Sequence, residues 1–198
     1  MKKKIRYRKN QQMLFDRSFE IRKDFGGSLL RKSNAKTARP ISTKEAMHIV
    51  LRSSFARGQY SMLRKNIAQQ IRKVIDRQAK LFGIRIYEYA NVGNHIHILV
   101  RAGNRNSFKS FLRSISGLIA RITLGAERGR AKLTKLKNAL RSNSILQKFW
   151  DQRPFTRIVT WKRDFNAVKK YVIQNFNEAM GFITYQPRNW SKKSFSTS

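Results

Sequence analysis

Two histidines stand two residues apart in the run Gly93-Asn94-His95-Ile96-His97-Ile98-Leu99-Val100. The run is rich in Ile, Leu and Val after a Gly-Asn pair, so it reads as a strand entered through a turn. Residues two apart on a strand point the same way. Ile96, Ile98 and Val100 then face a core, while His95 and His97 face the opposite side. Strand rise separates the two histidine backbones by about 7 Å, which lets two ring nitrogens grip one divalent ion. The competing reading is a pair of surface or hydrogen-bonded histidines. The chain has three histidines in all, and two of them share this face. The third, His48, falls on an earlier strand, where a structural role is expected.

The supply of other ligands is narrow. There are ten Asp and Glu residues and no cysteine. A two-metal nuclease needs a cluster of carboxylates to hold its ions, and this chain is poorly stocked for one. A metal here would lean on imidazole and amide groups. Glu88 is the one acid near the histidine hairpin, and its strand parity is open. The absence of cysteine excludes disulfides and thiolate metal sites and makes a reducing cytoplasm the expected compartment.

The 44 Lys and Arg against 10 acids give a net charge of +34 over 198 residues. Such a charge speaks to partners rather than to fold, because a polyanion releases many counterions on binding. Nucleic acid is the first candidate. A membrane is not expected: no run approaches the roughly 18 apolar residues of a span, and no apolar block follows Lys2, Lys3 and Lys4 to make a signal peptide. Arg113, Arg121, Arg128, Arg130, Lys132, Lys135 and Lys137 form a basic run with almost no counter-charge and are candidates for backbone-phosphate contacts. A solvated face is the plainer account of such a run. Tyr87, Tyr89, Trp150 and Trp161 could stack on unpaired bases, with core packing as the competing role.

Around these residues the chain divides into a basic N-terminal arm over 1–42, a folded domain over 43–182 and a basic tail over 183–198. Met47 to Arg52 reads as a first strand. From Tyr60 to Leu81 the apolar positions Leu63, Ile67, Ile71, Val74, Ile75 and Leu81 follow a helical period, closed by Gly83. Ile84 to Asn91 and Asn94 to Arg101 make a hairpin about Gly93-Asn94. Ser107 to Leu124 is a second amphipathic helix. Phe149 to Trp161 reads as a fourth strand, and Asp164 as the N-cap of a last helix running to about Met180. The order is that of a ferredoxin-like split βαββαβ domain with an antiparallel sheet, an α+β fold, plus an added C-terminal helix. Helices cover one sheet face and leave the other for a ligand, a partner or the added helix.

The histidine run resembles the HUH motif of single-tyrosine transposases, as found in REP-associated tyrosine transposases and the IS200-like family. The likeness continues through Phe149-Trp150, Arg153-Pro154-Phe155 and Arg157-Ile158-Val159 into Tyr171-Val172-Ile173-Gln174-Asn175, and spans roughly residues 45–182. Tyr171 and Asn175 are four apart and share a helix face. The stripe Phe165, Val168, Val172 and Phe176 lies beside them and could seat the helix on the open sheet face. The resemblance implies that His95, His97 and the Asn175 amide bind Mg²⁺ or Mn²⁺, with Gln174 as the alternative amide. It implies that Tyr171 attacks single-stranded or hairpin DNA, forming a 5′-phosphotyrosine and a free 3′-OH. Lys169 and Lys170 could assist the tyrosine and hold DNA, or simply face solvent. The resemblance also implies a homodimer. The alternative function is a domesticated, catalytically reduced nucleic-acid-binding protein on the same scaffold.

Overall fold

The computed structural model describes residues 23–30, 35, 37–126 and 148–186. Its elements are β1 (Asp24–Phe25), β2 (Ala46–Arg52), α1 (Lys65–Leu81), β3 (Ile84–Asn91), β4 (His95–Ala102), α2 (Arg105–Thr123), β5 (Phe155–Val159) and α3 (Arg163–Ala179). Short 3₁₀ turns occupy Gly27–Leu30 and Gly58–Tyr60. The five strands form one sheet in the order β1-β5-β2-β4-β3, with every neighbouring pair antiparallel. Without β1 this is the expected ferredoxin-like order, and α3 is the expected addition.

Strand alternation sorts side chains between two layers. Met47, Ile49 and Leu51 of β2 and Ile96, Ile98 and Val100 of β4 are fully or almost fully buried on one face. There they pack with Ile71 and Ile75 of α1 and with Phe108, Phe111, Ile115 and Ile119 of α2. Each such side chain contributes about 1.5–3 kcal/mol on burial. On the other face Val168 and Val172 of α3 pack against Ala46, Ala90, Leu99 and Val159. That second cluster is smaller, and polar residues continue it.

The hairpin that carries the histidines is set by its turn. Gly93 has φ +92, and a Cβ there would lie 3.1 Å from Ser61 Oγ, so glycine suits both the backbone and the space. The loop is the three residues Val92 to Asn94 rather than the Gly93-Asn94 pair, closed by Val92 N–H donating to the His95 carbonyl. Asn91 fastens it from beneath, with Nδ2 donating to the Met62 carbonyl and Oδ1 accepting from Gly93 N–H.

Four expectations change. Residues 24 and 25, assigned to an irregular arm, add β1 to the edge of the sheet. The strand expected over 149–161 shortens to Phe155–Val159. Pro154 cannot donate to a ladder, and Trp150 instead sends its Nε1–H to the Ser116 carbonyl under the core helices. The helix expected from Tyr60 begins at Lys65, because Tyr60 ends a 3₁₀ turn and packs on Phe55. Asp164 is not the N-cap of α3. Lys162 holds that position with φ 67, and Asp164 lies in the first turn, accepting from Thr160 N–H and pairing with Arg157 at 2.9 Å.

Candidate active site

His95 and His97 project from β4 onto the face that α3 covers, as alternation requires. Their rings meet edge to face with centroids 4.9 Å apart. His95 Nδ1 is 2.6 Å from Asn94 Oδ1. The amide oxygen can only accept, so Nδ1 carries the proton and Nε2 carries the lone pair. His97 Nδ1 is 3.2 Å from His48 Nε2. Burial, and then the nearby Arg157, pull His48 down to about 4, against a smaller raising effect from Asp164. A neutral His48 can accept the Nδ1 proton of His97, which again leaves Nε2 as the basic nitrogen. Both histidines of the pair therefore present the same atom type to a ligand, each held from behind by a neighbour.

Tyr171 of α3 stands over this pair. Its ring meets His97 at 5.4 Å and 88°, and His48 at 6.1 Å and 84°. One turn further along, Asn175 is 4% exposed and donates Nδ2–H to the Tyr171 carbonyl at 2.7 Å. That bond uses one of the two amide N–H groups, and Oδ1 is the acceptor atom of the side chain. Gln174 is turned to another task, donating Nε2–H to Glu178 at 2.8 Å. A pocket of about 770 Å³ opens on the histidine pair and Tyr171 but is not lined by Asn175 or Gln174; its other lining residues are Val50, Arg52, Ser54, Asp151, Gln152, Arg153, Phe155, Gly27 and Ser28. It joins two basic imidazole nitrogens, a phenol and two guanidinium groups, which suits an anionic phosphodiester.

The sequence profile described as "Transposase IS200 like" matches residues 42–175. The chain belongs to that family. Among solved structures it is similar to a REP-associated tyrosine transposase bound to a REP hairpin, with TM-score 0.52 and 13% identity over 76% of each chain. It is also similar to a protein of Deinococcus radiodurans described as a candidate transposase, with TM-score 0.41 and 15% identity over 71% of this chain and 97% of that one. The first likeness shows a shared fold. No curated protein matches.

The remaining site expectations of this transposase scatter. Arg113 and Arg121 are exposed on α2, in the helical layer across the sheet from the pocket, and Lys169 and Lys170 are exposed on α3. Arg128, Arg130, Lys132, Lys135 and Lys137 lie outside the described residues. Tyr89 and Trp150 pack against the main core, and Tyr87 packs in the smaller cluster. Trp161, 37% exposed, is the most open of the four aromatics. Glu88 falls at the β-bulge after Ile86 and is not among the pocket-lining residues.

Sequence reasoning missed three contributors. His48 looked structural, yet it touches His97. Arg52 was read only as the end of a strand, and Asp151 was placed inside a longer one. Asp151 accepts from Ser54 N–H at 2.7 Å and Ser54 Oγ–H at 2.8 Å, and lies 3.7 Å from Arg52 Nε. Parity could have flagged His48 and Arg52, since both share the face of His97 once β2 is paired with β4. Nothing local flags Asp151. Among the described residues no three His, Asp or Glu side chains converge as a metal cluster, so the pair is not completed by a carboxylate or a third imidazole. Two oriented imidazoles in one pocket fit a divalent ion that keeps several waters.

Proposed function

We propose that this transposase nicks and rejoins single-stranded DNA through Tyr171, with a divalent cation held by His95, His97 and Asn175. The observation that supports this reading best is the setting of the Tyr171 ring against His97, in one pocket with both histidines. In the proposed reaction Tyr171 Oη loses its proton and bonds to the scissile phosphorus. The bond from phosphorus to the 3′ oxygen breaks, and that oxygen leaves as a 3′-OH. The 5′-phosphotyrosine conserves the energy of the broken bond, so a 3′-OH can later reverse the step without ATP. When bound, Mg²⁺ or Mn²⁺ would stabilise charge on the phosphate oxygens. Arg52 and Arg153 draw the strand toward the phenol, and Phe155 and Val50 give its bases an apolar wall.

The related transposase bound to a REP hairpin favours hairpin-bearing DNA as the substrate. One chain supplies His95, His97 and Tyr171 to one pocket, so a homodimer would not be needed to complete this part of the site. Light scattering in the presence of DNA tests that stoichiometry. The function itself is tested by mixing the protein with a single-stranded oligonucleotide pool and Mn²⁺, then resolving covalent adducts on denaturing gels. Adducts are expected from the native protein and none from Tyr171→Phe. An adduct that survives in Tyr171→Phe would refute the assignment.

A further inference from the structure

The family match begins at residue 42, yet Gly27 and Ser28 line the pocket. They reach it because β1 is fastened to β5 at several points. Lys23 accepts from Ile158 N–H at 2.8 Å, and Gly27 N–H donates to the Arg153 carbonyl at 2.9 Å. Arg39 closes the latch. Its Nη1 donates to the Pro154 carbonyl at 2.9 Å and to Thr156 Oγ1, and its guanidinium lies 4.4 Å from the centre of the Phe25 ring. Gly26 permits the close approach: its φ is +86, and a Cβ there would lie 2.2 Å from the Pro154 oxygen. No other residue type fits that position without moving β1 from its partner.

We infer that residues 24–30 form one wall of a nucleotide subsite beside Tyr171, seating the nucleotide next to the scissile phosphate between Gly27-Ser28 and Arg153. The inference rests on the DNA-processing reading above. Its chemistry suits one nucleotide unit. The Ser28 hydroxyl and the Gln152 amide can meet a base edge, Arg153 can meet a phosphate, and Phe155 offers a ring. The missing Cβ at Gly27 lets Phe155 pack against this wall, since a Cβ there would lie 3.0 Å from the Phe155 Cβ. A merely basic tail would supply charge anywhere along a strand. A latched wall supplies contacts at one position.

The test uses the full chain carrying Tyr171→Phe, so that binding is read apart from chemistry. A single-stranded DNA pool containing 4-thiothymidine is photocrosslinked, and the crosslinked tryptic peptides are identified by mass spectrometry. The expected crosslinks fall in the peptide spanning 24–31 and in that spanning 149–157. Gly26→Val, which forces β1 off Pro154, should lower the yield at 24–31 at least tenfold. Arg39→Ala, which opens the latch without adding bulk, should do the same should the first variant misfold. Absence of the 24–31 crosslink, or a yield unchanged in Arg39→Ala, would overturn the inference. The adduct assay on the chain with Tyr171 intact reports the reaction separately. Adducts without the crosslink sink the subsite alone, and the crosslink without adducts sinks the tyrosine chemistry alone.

Discussion

The two faces of the sheet are made from alternate residues of the same strands, and they differ in almost every property. On β4, Ile96, Ile98 and Val100 are wholly buried against two helices. Their immediate neighbours His95 and His97 stand at a pocket covered by one helix. Close packing on the first face fixes the strands in register, and that register decides which polar groups meet on the second. Val50 pairs with His97, and His48 with Leu99, so the His48 ring comes beside the His97 ring. One face thus carries most of the apolar core and the other the polar pocket, with a single set of backbone hydrogen bonds serving both.

That division can be broken from either side. The largest effect is expected from Tyr171→Phe, which should lower covalent adduct formation by at least about a thousandfold. Its thermal midpoint should stay near that of the native chain, since only a hydroxyl is removed. Conversely, Ile98→Ala should destabilise the fold by about 2–5 kcal/mol in urea titrations, through a cavity in the helix-covered core. A chain that loses adduct formation and keeps full stability in that variant would contradict the division.

His48 lies where the two roles overlap. Its pKa in the folded chain, about 4, lies below the ordinary value of 6.5. A depressed histidine favours folding fully above its unfolded value, and that contribution is lost as pH falls from 6.5 toward 4. The expected loss is about 3 kcal/mol, measured as unfolding free energy against pH, and His48→Asn should flatten it. A smaller effect sharpens the comparison further. His48→Asn should weaken Mn²⁺ binding by about 10–100-fold in calorimetry, because the substituted side chain no longer sets the His97 ring. An unchanged affinity would return His48 to a purely structural role.

The legibility of the molecule followed the same division. Alternation along residues 95–100 and the helical spacing of Ile67, Ile71 and Ile75 were enough to sort the core and to send both histidines to the opposite face, although Leu81 of the same stripe is 68% exposed and Leu63 precedes the helix. The spacing of Tyr171 and Asn175 was equally readable, because four residues make one turn. What stayed hidden depended on contacts across the sheet. His48 meets His97 only through the β2–β4 register, which no local pattern states. β1 is two residues long, too short to show any period. Residues 149–154 look like strand by composition, but Pro154 and the bond from Trp150 to Ser116 turn them into a pocket wall. The basic run from Arg113 onward was conspicuous in sequence, yet its described members Arg113 and Arg121 lie across the sheet from the pocket. Arg52 and Arg153, which line the pocket, stand singly and gave no comparable signal.

The hydrogen bond from Asn175 to the Tyr171 carbonyl makes the helix a lever with two fixed points. The Asn175 amide is anchored to the backbone from which the Tyr171 side chain springs. Any tilt of α3 over Ala46 and Leu99 carries both groups by linked amounts. The alanine at position 46 and the valines at 168 and 172 thus set the placement of both groups from outside the pocket. A change of one methyl group at these buried positions would shift the amide and the phenol as well as the packing beneath them.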